Sequence, residues 1–574
     1  MPQKRIPTPT QDAGNWGTIL NDHLAQTQNP LNGAFNSYTS KLTRPILTAD
    51  DSGYTGINKS TGDIEQWNGT IWESLTSTGK IHYCDVIYSD PSNVNYYLTQ
   101  SFPSNPDNDY NSPKAHSIDP DLLPLDYVLN QKTGLLYKRD DLGAWQSIAV
   151  SEDFTVINKF TMTAFRKLAS GNSWQIVSPN GIINVRDWGA RADAFGGVNY
   201  GHDDTGSIQA AMNYAASTSN AAAHGQANGF TGKASVVYFP HGTYVIRESI
   251  LVSGVINLKG DCGGSYSGSV ISQAGIGKSI FVLGPDTDGN SSGSHIDDLF
   301  LKIIQNSPTP IAAITAIPHK SNNSIYIRNC FIQAVGTNVY SIDMPRSDDI
   351  QISGCTFDTG TISIRLGSPN DGLIFGNTCT NTTIQNCTFY GIAKSSIKIV
   401  NATNTNIVGN RFYDGTKIYP NDTNVVIDIA TGDLLDGNNF ANNINIVSNT
   451  FSDCKTAVNI VSLAKKINII GNVITKCTVS AITLFGDGIL NNLIIQSNNI
   501  SGNFLTAGAI SSPTTGLTRS IIKDNIIQGN ENGTDSTLPI NIPDSRTAVN
   551  NVKENIIYGF SSANIIANPT QNIL

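Results

Sequence analysis

The chain has 574 residues, of which only 14% are charged, with 51 glycines and a formal net charge of −9. The acidic balance argues against nucleic acid as a partner, and no apolar run reaches the length of a membrane helix, so membrane insertion is not expected. The length allows several domains, and few charges with many glycines suit a turn-rich all-β protein.

Residues 1–45 begin MPQKRIPTPTQDAG, without an apolar core segment, so a secretory signal peptide is not expected. Trp16, Ile19, Leu20 and Leu24 then fall near helical spacing and predict a short amphipathic helix. The stretch PTPTQDAGNWGTILNDHL resembles the leading segment of tail-fibre proteins of phages and related contractile particles. The resemblance implies a particle-attachment segment, with baseplate or tail proteins as partners and a virion or extracellular particle as location.

Residues 46–150 contain an internal repeat. NKSTGDIEQWNGTIWES at 58–74 returns as NQKTGLLYKRDDLGAWQS at 130–147, with Trp72 matched by Trp145. The N-x-x-T-G piece is hairpin-turn chemistry, because Gly supplies a positive φ. Two small β-meander modules follow, their tryptophans serving as core anchors or as sugar-stacking surfaces. Residues 151–180 space Phe154, Ile157, Phe160 and Phe165 loosely like a helix and read as a neck or linker.

Residues 181–323 open with INVRDWGARADAFGGVNYGHDDTGSIQAAMNYAAS and continue to VVYFPHGTYVI. Val185, Asp187, Trp188, Gly189 and Ala190, then Asp203, Asp204, Thr205, Ile208, Gln209 and Ala211, then Tyr238 to Tyr244, resemble the start of the pectate-lyase superfamily domain of phage tailspikes. Asp204 is expected to cap a helix whose Ile208, Ala211, Met212 and Ala215 form one apolar face. That helix would plug the open end of a solenoid. Asp203 and Asp204 therefore read as capping residues, although they look like a catalytic pair.

From about residue 324 to 574 one pattern is written nine times: IYIRNCFI, IQISGCTF, TIQNCTF, NIVGNRF, INIVSNTF, INIIGNVI, LIIQSNNI, SIIKDNII and NVKENII. It places Cys330, Cys355, Cys387, Asn410, Asn449, Asn472, Asn498, Asn525 and Asn555 in one column. Two residues on, Ile332, Phe357, Phe389, Phe412, Phe451, Ile474, Ile500, Ile527 and Ile557 form an apolar column. A period drifting between 23 and 39 residues marks a solenoid with loops of variable length. The I-x-I alternation makes its elements strands, and one strand set per turn with asparagine stacked at a bend describes a single-stranded parallel β-helix. The tailspike resemblance implies a right-handed one, usually assembled as a homotrimer. Cys330, Cys355 and Cys387 in one inward column, and Cys454 with Cys477 in another, read as reduced core thiols. No zinc-binding spacing occurs, and no metal or other cofactor is expected; a calcium site has no support in the spacing.

After the apolar column each coil makes another strand: SIDMP, SIRLG, SIKIV, VIDIA, VNIV and ITLF. The residue between its inward pair points outward, which aligns Asp343, Arg365, Lys398, Asp428, Asn459 and Thr483 on a solvent face. A second outward column is Gln333, Asp358, Tyr390, Tyr413, Ser452 and Thr475. Long insertions near 368–378, 414–424 and 431–439, carrying Asp414, Tyr419 and Asp433, flank the charges. Arg365, Lys398, Tyr390 and Tyr413 are thus expected to share one face between long loops. Such a face suits a carbohydrate chain, but alternating charges also make a salt-bridge ladder or a trimer interface.

All eight histidines lie at or before His319, and no glutamate falls between Glu248 and Glu531. Acid–base chemistry in the repeats therefore falls to Asp, Lys, Arg, Tyr or a thiol. Hydrolysis needs two carboxyls about 5–10 Å apart, which leaves Asp358 with Asp343, or Asp414 with Asp428. A uronate lyase would use Arg365 on the carboxylate, Lys398 as base and Tyr390 or Tyr413 as acid. Candidate catalytic residues are therefore Lys398, Arg365, Tyr390, Tyr413, Asp428 and Asp358; candidate substrate-binding residues are Asp343, Asp414, Tyr419 and Asn459. The combined reading is a tailspike or tail fibre that binds a bacterial surface polysaccharide and depolymerises it. The alternatives are a non-catalytic adhesin or structural spike and, third, a free lyase or epimerase.

Overall fold

The structure, a computed structural model, describes the strands between Asn36 and Ile87 and most of residues 127–560 apart from individual loops. The chain divides into two compact units. One takes residues 1–106, 113–180 and 186–189; the other takes residues 107–112, 181–185 and 190–574. The expected adaptor helix, and the side chains of Trp72 and Trp145, lie outside the described residues.

In the first unit both N-x-x-T-G copies join antiparallel strands: Thr55–Asn58, Asp63–Trp67 and Trp72–Ser74, then Tyr127–Asn130, Leu136–Arg139 and Trp145–Ile148. In the second copy the Asn130 side chain accepts the Thr133 amide at 3.2 Å, and Gly134 turns with φ +66°. A Cβ on Gly134 would lie 1.7 Å from the Asn172 carbonyl oxygen, so the motif needs glycine for space as well as conformation.

The segment 151–180 is not helical. It forms the strands Thr155–Asn158, Ala164–Lys167 and Trp174–Val177, which join the same seven-stranded sheet as the second meander. The helical spacing of its phenylalanines was misleading because the burial runs with period two: Val156 and Asn158 inside, then Phe165 and Lys167. Phe165 packs with Cys84, Tyr127, Leu129, Leu136 and Val156 in one core. Arg186–Gly189 also belong here rather than to the solenoid: the Asp187 carboxylate accepts bonds from Asn158 at 3.3 Å and Thr163 at 2.6 Å.

The second unit is a single-stranded parallel β-helix of the right-handed class. Its described residues form three sheets of fourteen, twelve and eleven strands, each strand pairing in parallel with its equivalent one turn away. The helix Thr205–Thr218 packs on the first strands of the solenoid, with Ile208, Ala211, Met212 and Ala215 buried. Its cap differs from expectation. The Asp203 carboxylate receives the Thr205 amide at 3.1 Å, whereas that of Asp204 turns away to the amides of Arg191 and Ala192 at 2.7 and 3.2 Å. Asp204 therefore clamps the entering chain. Its complete burial raises its pKa well above the ordinary carboxylate range, and Asp193 adds to the effect.

The repeat columns stand as the spacing predicts. Each I-x-I strand lies in the first sheet and each following Phe or Ile in the second, with Phe357, Phe389, Phe412 and Phe451 stacked face to face 4.7–4.8 Å apart. Between the two sheets the chain bends through one left-handed residue, such as Gly409 (φ +66°), Ser448 (+56°) or Gly471 (+64°), immediately before the column asparagine. From Asn449 onward every Oδ1 of the ladder accepts two bonds from the asparagine one turn earlier: Asn410 donates its backbone and side-chain N–H to Asn449 at 2.9 and 3.0 Å, and Asn449 donates likewise to Asn472, while the Oδ1 of Asn410 accepts the Cys387 amide at 2.9 Å. Each Nδ2 also reaches a carbonyl of the preceding turn. Buried bend amides are thereby satisfied without water. In the cysteine turns the Cys387, Cys355 and Cys330 thiols donate to the equivalent carbonyls of Ile352, Ile327 and Ile296 at 3.4–3.8 Å. Cys454 and Cys477 instead face one another, Sγ to Sγ 3.0 Å. No described helix is long and apolar enough to cross a membrane.

Candidate functional site

The third sheet carries the charged column. Successive strands pair Asp343 with Arg365, Arg365 with Lys398, Lys398 with Asp428, Asp428 with Asn459, and Asn459 with Thr483. Their neighbours Ile364, Leu366, Ile397 and Ile399 are fully buried, so the pleat forces the column outward.

Outward is not the same as exposed. Arg365 donates Nε and Nη2 to the two oxygens of Asp343, both at 2.7 Å, and its guanidinium lies 4.9 Å from the Tyr340 ring centre. The two side chains are only 19% and 10% exposed. Burial works against the charged guanidinium, but the Asp343 hydrogen bond and charge outweigh it, leaving the Arg365 pKa raised. Burial also raises that of Tyr340, against the pull of Arg365. The expectation of a solvent-facing arginine ready for a substrate carboxylate is therefore corrected: its fork is occupied, because a planar guanidinium matches one carboxylate on the adjacent rung. Tyr340 went unread in the sequence, although it stands three residues before Asp343 in every reading of VYSIDMP.

The upper half of the column is open. Lys398 Nζ lies 3.9 Å from Asp428, with the lysine side chain 35% exposed. Asp428 also accepts the Asn459 amide at 2.8 Å.

The tyrosines are on the second sheet, not the third. Tyr390 and Tyr413 stack on neighbouring rungs, centroids 5.5 Å apart and planes 12° from parallel, and both are exposed. Asp358 pairs in register with Tyr390 and receives the Gln333 amide at 2.9 Å. The expectation that Arg365, Lys398, Tyr390 and Tyr413 share one face is thus not met. A turn beginning at Gly391 (φ +65°) separates the second-sheet strand Thr388–Tyr390 from the third-sheet strand Ser395–Ile399. Asp358 and Asp343 are split between the same two sheets. Asp414, Tyr419 and Asp433 lie outside the described residues. Among the described residues no three His, Cys, Asp or Glu side chains gather as a metal site.

No curated protein sequence matches the chain. Among solved structures, a mannuronan C-5 epimerase A-module of Azotobacter vinelandii aligns at 17% identity and a TM-score of 0.47, over 68% of this chain and 97% of its own. A Geobacillus virus E2 protein aligns at 16% identity and 0.40, over 79% and 76%. A tailspike protein mutant of Escherichia coli bacteriophage HK620 aligns at 14% identity and 0.41, over 69% and 68%. Residues 182–371 match the family model described as rhamnogalacturonase A/epimerase, pectate lyase-like.

Proposed function

We propose that the chain is the receptor-binding tailspike or tail fibre of a phage, or of a phage-derived contractile particle, and that its β-helix binds a bacterial surface polysaccharide. The observation that carries the glycan reading is the exposed, stacked Tyr390–Tyr413 pair. Two parallel aromatic faces on a rigid sheet offer a sugar apolar contact at little conformational cost, and water leaves the rings without stranding a buried polar group. The pectate-lyase-like match over residues 182–371 supports a glycan as ligand. The tail-fibre-like first residues support particle attachment, and with it a homotrimer that matches a tail's symmetry.

Depolymerisation is the second reading, favoured by the open Lys398–Asp428 pair. In a lyase Lys398 would take the proton α to the uronate carboxylate. With Arg365 held by Asp343, that carboxylate would need another cation or a rearranged pair. Binding of purified host capsule to the intact protein tests the first reading, and absence of binding removes it. Release of unsaturated uronate or of reducing ends separates an enzyme from an adhesin. Light scattering that returned a monomeric mass would remove the trimer.

A further inference from the structure

The first sheet carries a constellation of its own, two to three turns before Tyr390 and on a different face. His295 and Asp297 flank the buried Ile296, and Tyr326 and Arg328 flank the buried Ile327 one rung on, so all four side chains point outward. The His295 and Tyr326 rings stack, 4.5 Å between centroids. Arg328 donates Nε and Nη2 to Asp297 at 2.8 and 2.7 Å, and Nη2 also to His295 Nδ1 at 2.8 Å.

That last bond fixes the tautomer. A guanidinium has donors only, so Nδ1 must accept and the imidazole carries its proton on Nε2. Burial, then the charge of Arg328, lowers the His295 pKa against the opposing pull of Asp297, which favours the same neutral form. One rung below, Asn257 is in register with His295 and exposed Lys259 with Asp297. The Asn257 side-chain oxygen is buried with no hydrogen-bond partner among the described residues. Lys259 makes no ion pair among the described residues.

We propose that this face of the first sheet, centred on His295 and Tyr326, is a second glycan-binding site, one that takes a uronate-bearing segment. Exposed Lys259 offers a cation to a sugar carboxylate; Asp297 holds the fork of Arg328 as Asp343 holds that of Arg365, but Arg328 is 44% exposed against 19%, so its outer N–H groups face solvent and add a second donor set. The Nε2–H of His295 donates to a ring or hydroxyl oxygen. Its polar groups repeat at the rung spacing of ~4.8 Å, a step comparable with one sugar ring. A purely structural ladder would pair its charges, whereas Lys259 makes no ion pair among the described residues.

The proposal rests on the reading that the ligand is a glycan, but not on the tyrosine site, and the experiment keeps the two apart. Tetragalacturonate and, as neutral control, cellotetraose are titrated calorimetrically into the full chain, into a Tyr390→Ala/Tyr413→Ala variant, and into that variant with Lys259→Ala or His295→Ala added. Tetragalacturonate should still bind the double-tyrosine variant, and Lys259→Ala, which alters an exposed side chain, should weaken that residual binding at least tenfold without changing the melting temperature. His295→Ala should weaken it likewise. Residual binding indifferent to both substitutions, equal binding of cellotetraose, or no binding of tetragalacturonate to any protein would overturn the site. Double-tyrosine and parent proteins binding alike would instead count against the tyrosine platform alone.

Discussion

The charged column holds two ion pairs, each a cation and an aspartate on adjacent rungs of the same sheet, and they differ in kind. Asp343–Arg365 is bidentate, nearly buried and backed by an aromatic ring, whereas Lys398–Asp428 is a single 3.9 Å approach with an exposed lysine. The lower pair is a structural element. Its charges balance each other and are held away from solvent, so each depends on the other. The upper pair loses little if a ligand intervenes. A charge column on a solenoid therefore cannot be treated as one site; its geometry has to be resolved rung by rung.

The sharpest way to break this contrast is Arg365→Ala. It strands the Asp343 carboxylate and should lower stability by about 3 kcal/mol, read as a shifted denaturant midpoint with an unchanged slope. A variant that melts like the parent would place Arg365 among the ligand-facing groups after all. Next in size is Tyr390→Ala/Tyr413→Ala, expected to weaken capsule binding at least tenfold, about 1.4 kcal/mol, with little change in melting. Lys398→Ala should alter stability by less than about 1 kcal/mol. If the protein cleaves its ligand, the same change should reduce turnover more than binding; an equal effect on both would make Lys398 a contact only.

The smallest effect concerns pH. The folded pKa of His295 is depressed, so its contribution to stability is fully present above the unfolded value of about 6.5 and is lost as pH falls through that value toward the folded one. Arg328 and Asp297 face the ring from the two rungs, with Tyr326 stacked on it. Between neutral pH and pH 5 the parent should therefore lose slightly more stability than His295→Gln. Parallel profiles would contradict the neutral, half-buried imidazole.

The inward half of this molecule was legible because its chemistry is repetitive: a side chain that must stack on its own equivalent, such as Phe389 or Asn449, leaves a column in the sequence. The outward columns were legible as registers, which is why Asp343, Arg365, Lys398 and Asp428 align as read. What the register cannot convey is contact. Whether Arg365 meets solvent or Asp343 depends on rotamers and on Tyr340, and whether Tyr390 shares a face with Lys398 depends on a turn between two sheets. The His295 group spans the edge of the repeat: HID lies one turn before IYIR, the first of the nine copies, with the same alternation around Ile296 and Ile327 but without the I-x-I signature. In the first unit, the loose helical spacing of Phe154, Ile157, Phe160 and Phe165 hid the period-two burial that makes Ala164–Lys167 a strand.

Asn410 and Asn449 are 39 residues apart and Asn449 and Asn472 only 23, yet both pairs close the same two bonds at 2.9–3.1 Å. The rung is thus blind to how much chain leaves and returns between its bends. Insertions and deletions at those exits change the surface without re-registering anything beneath it. A lineage can therefore rewrite one loop at a time while every intermediate still folds, and surface diversity becomes separable from foldability.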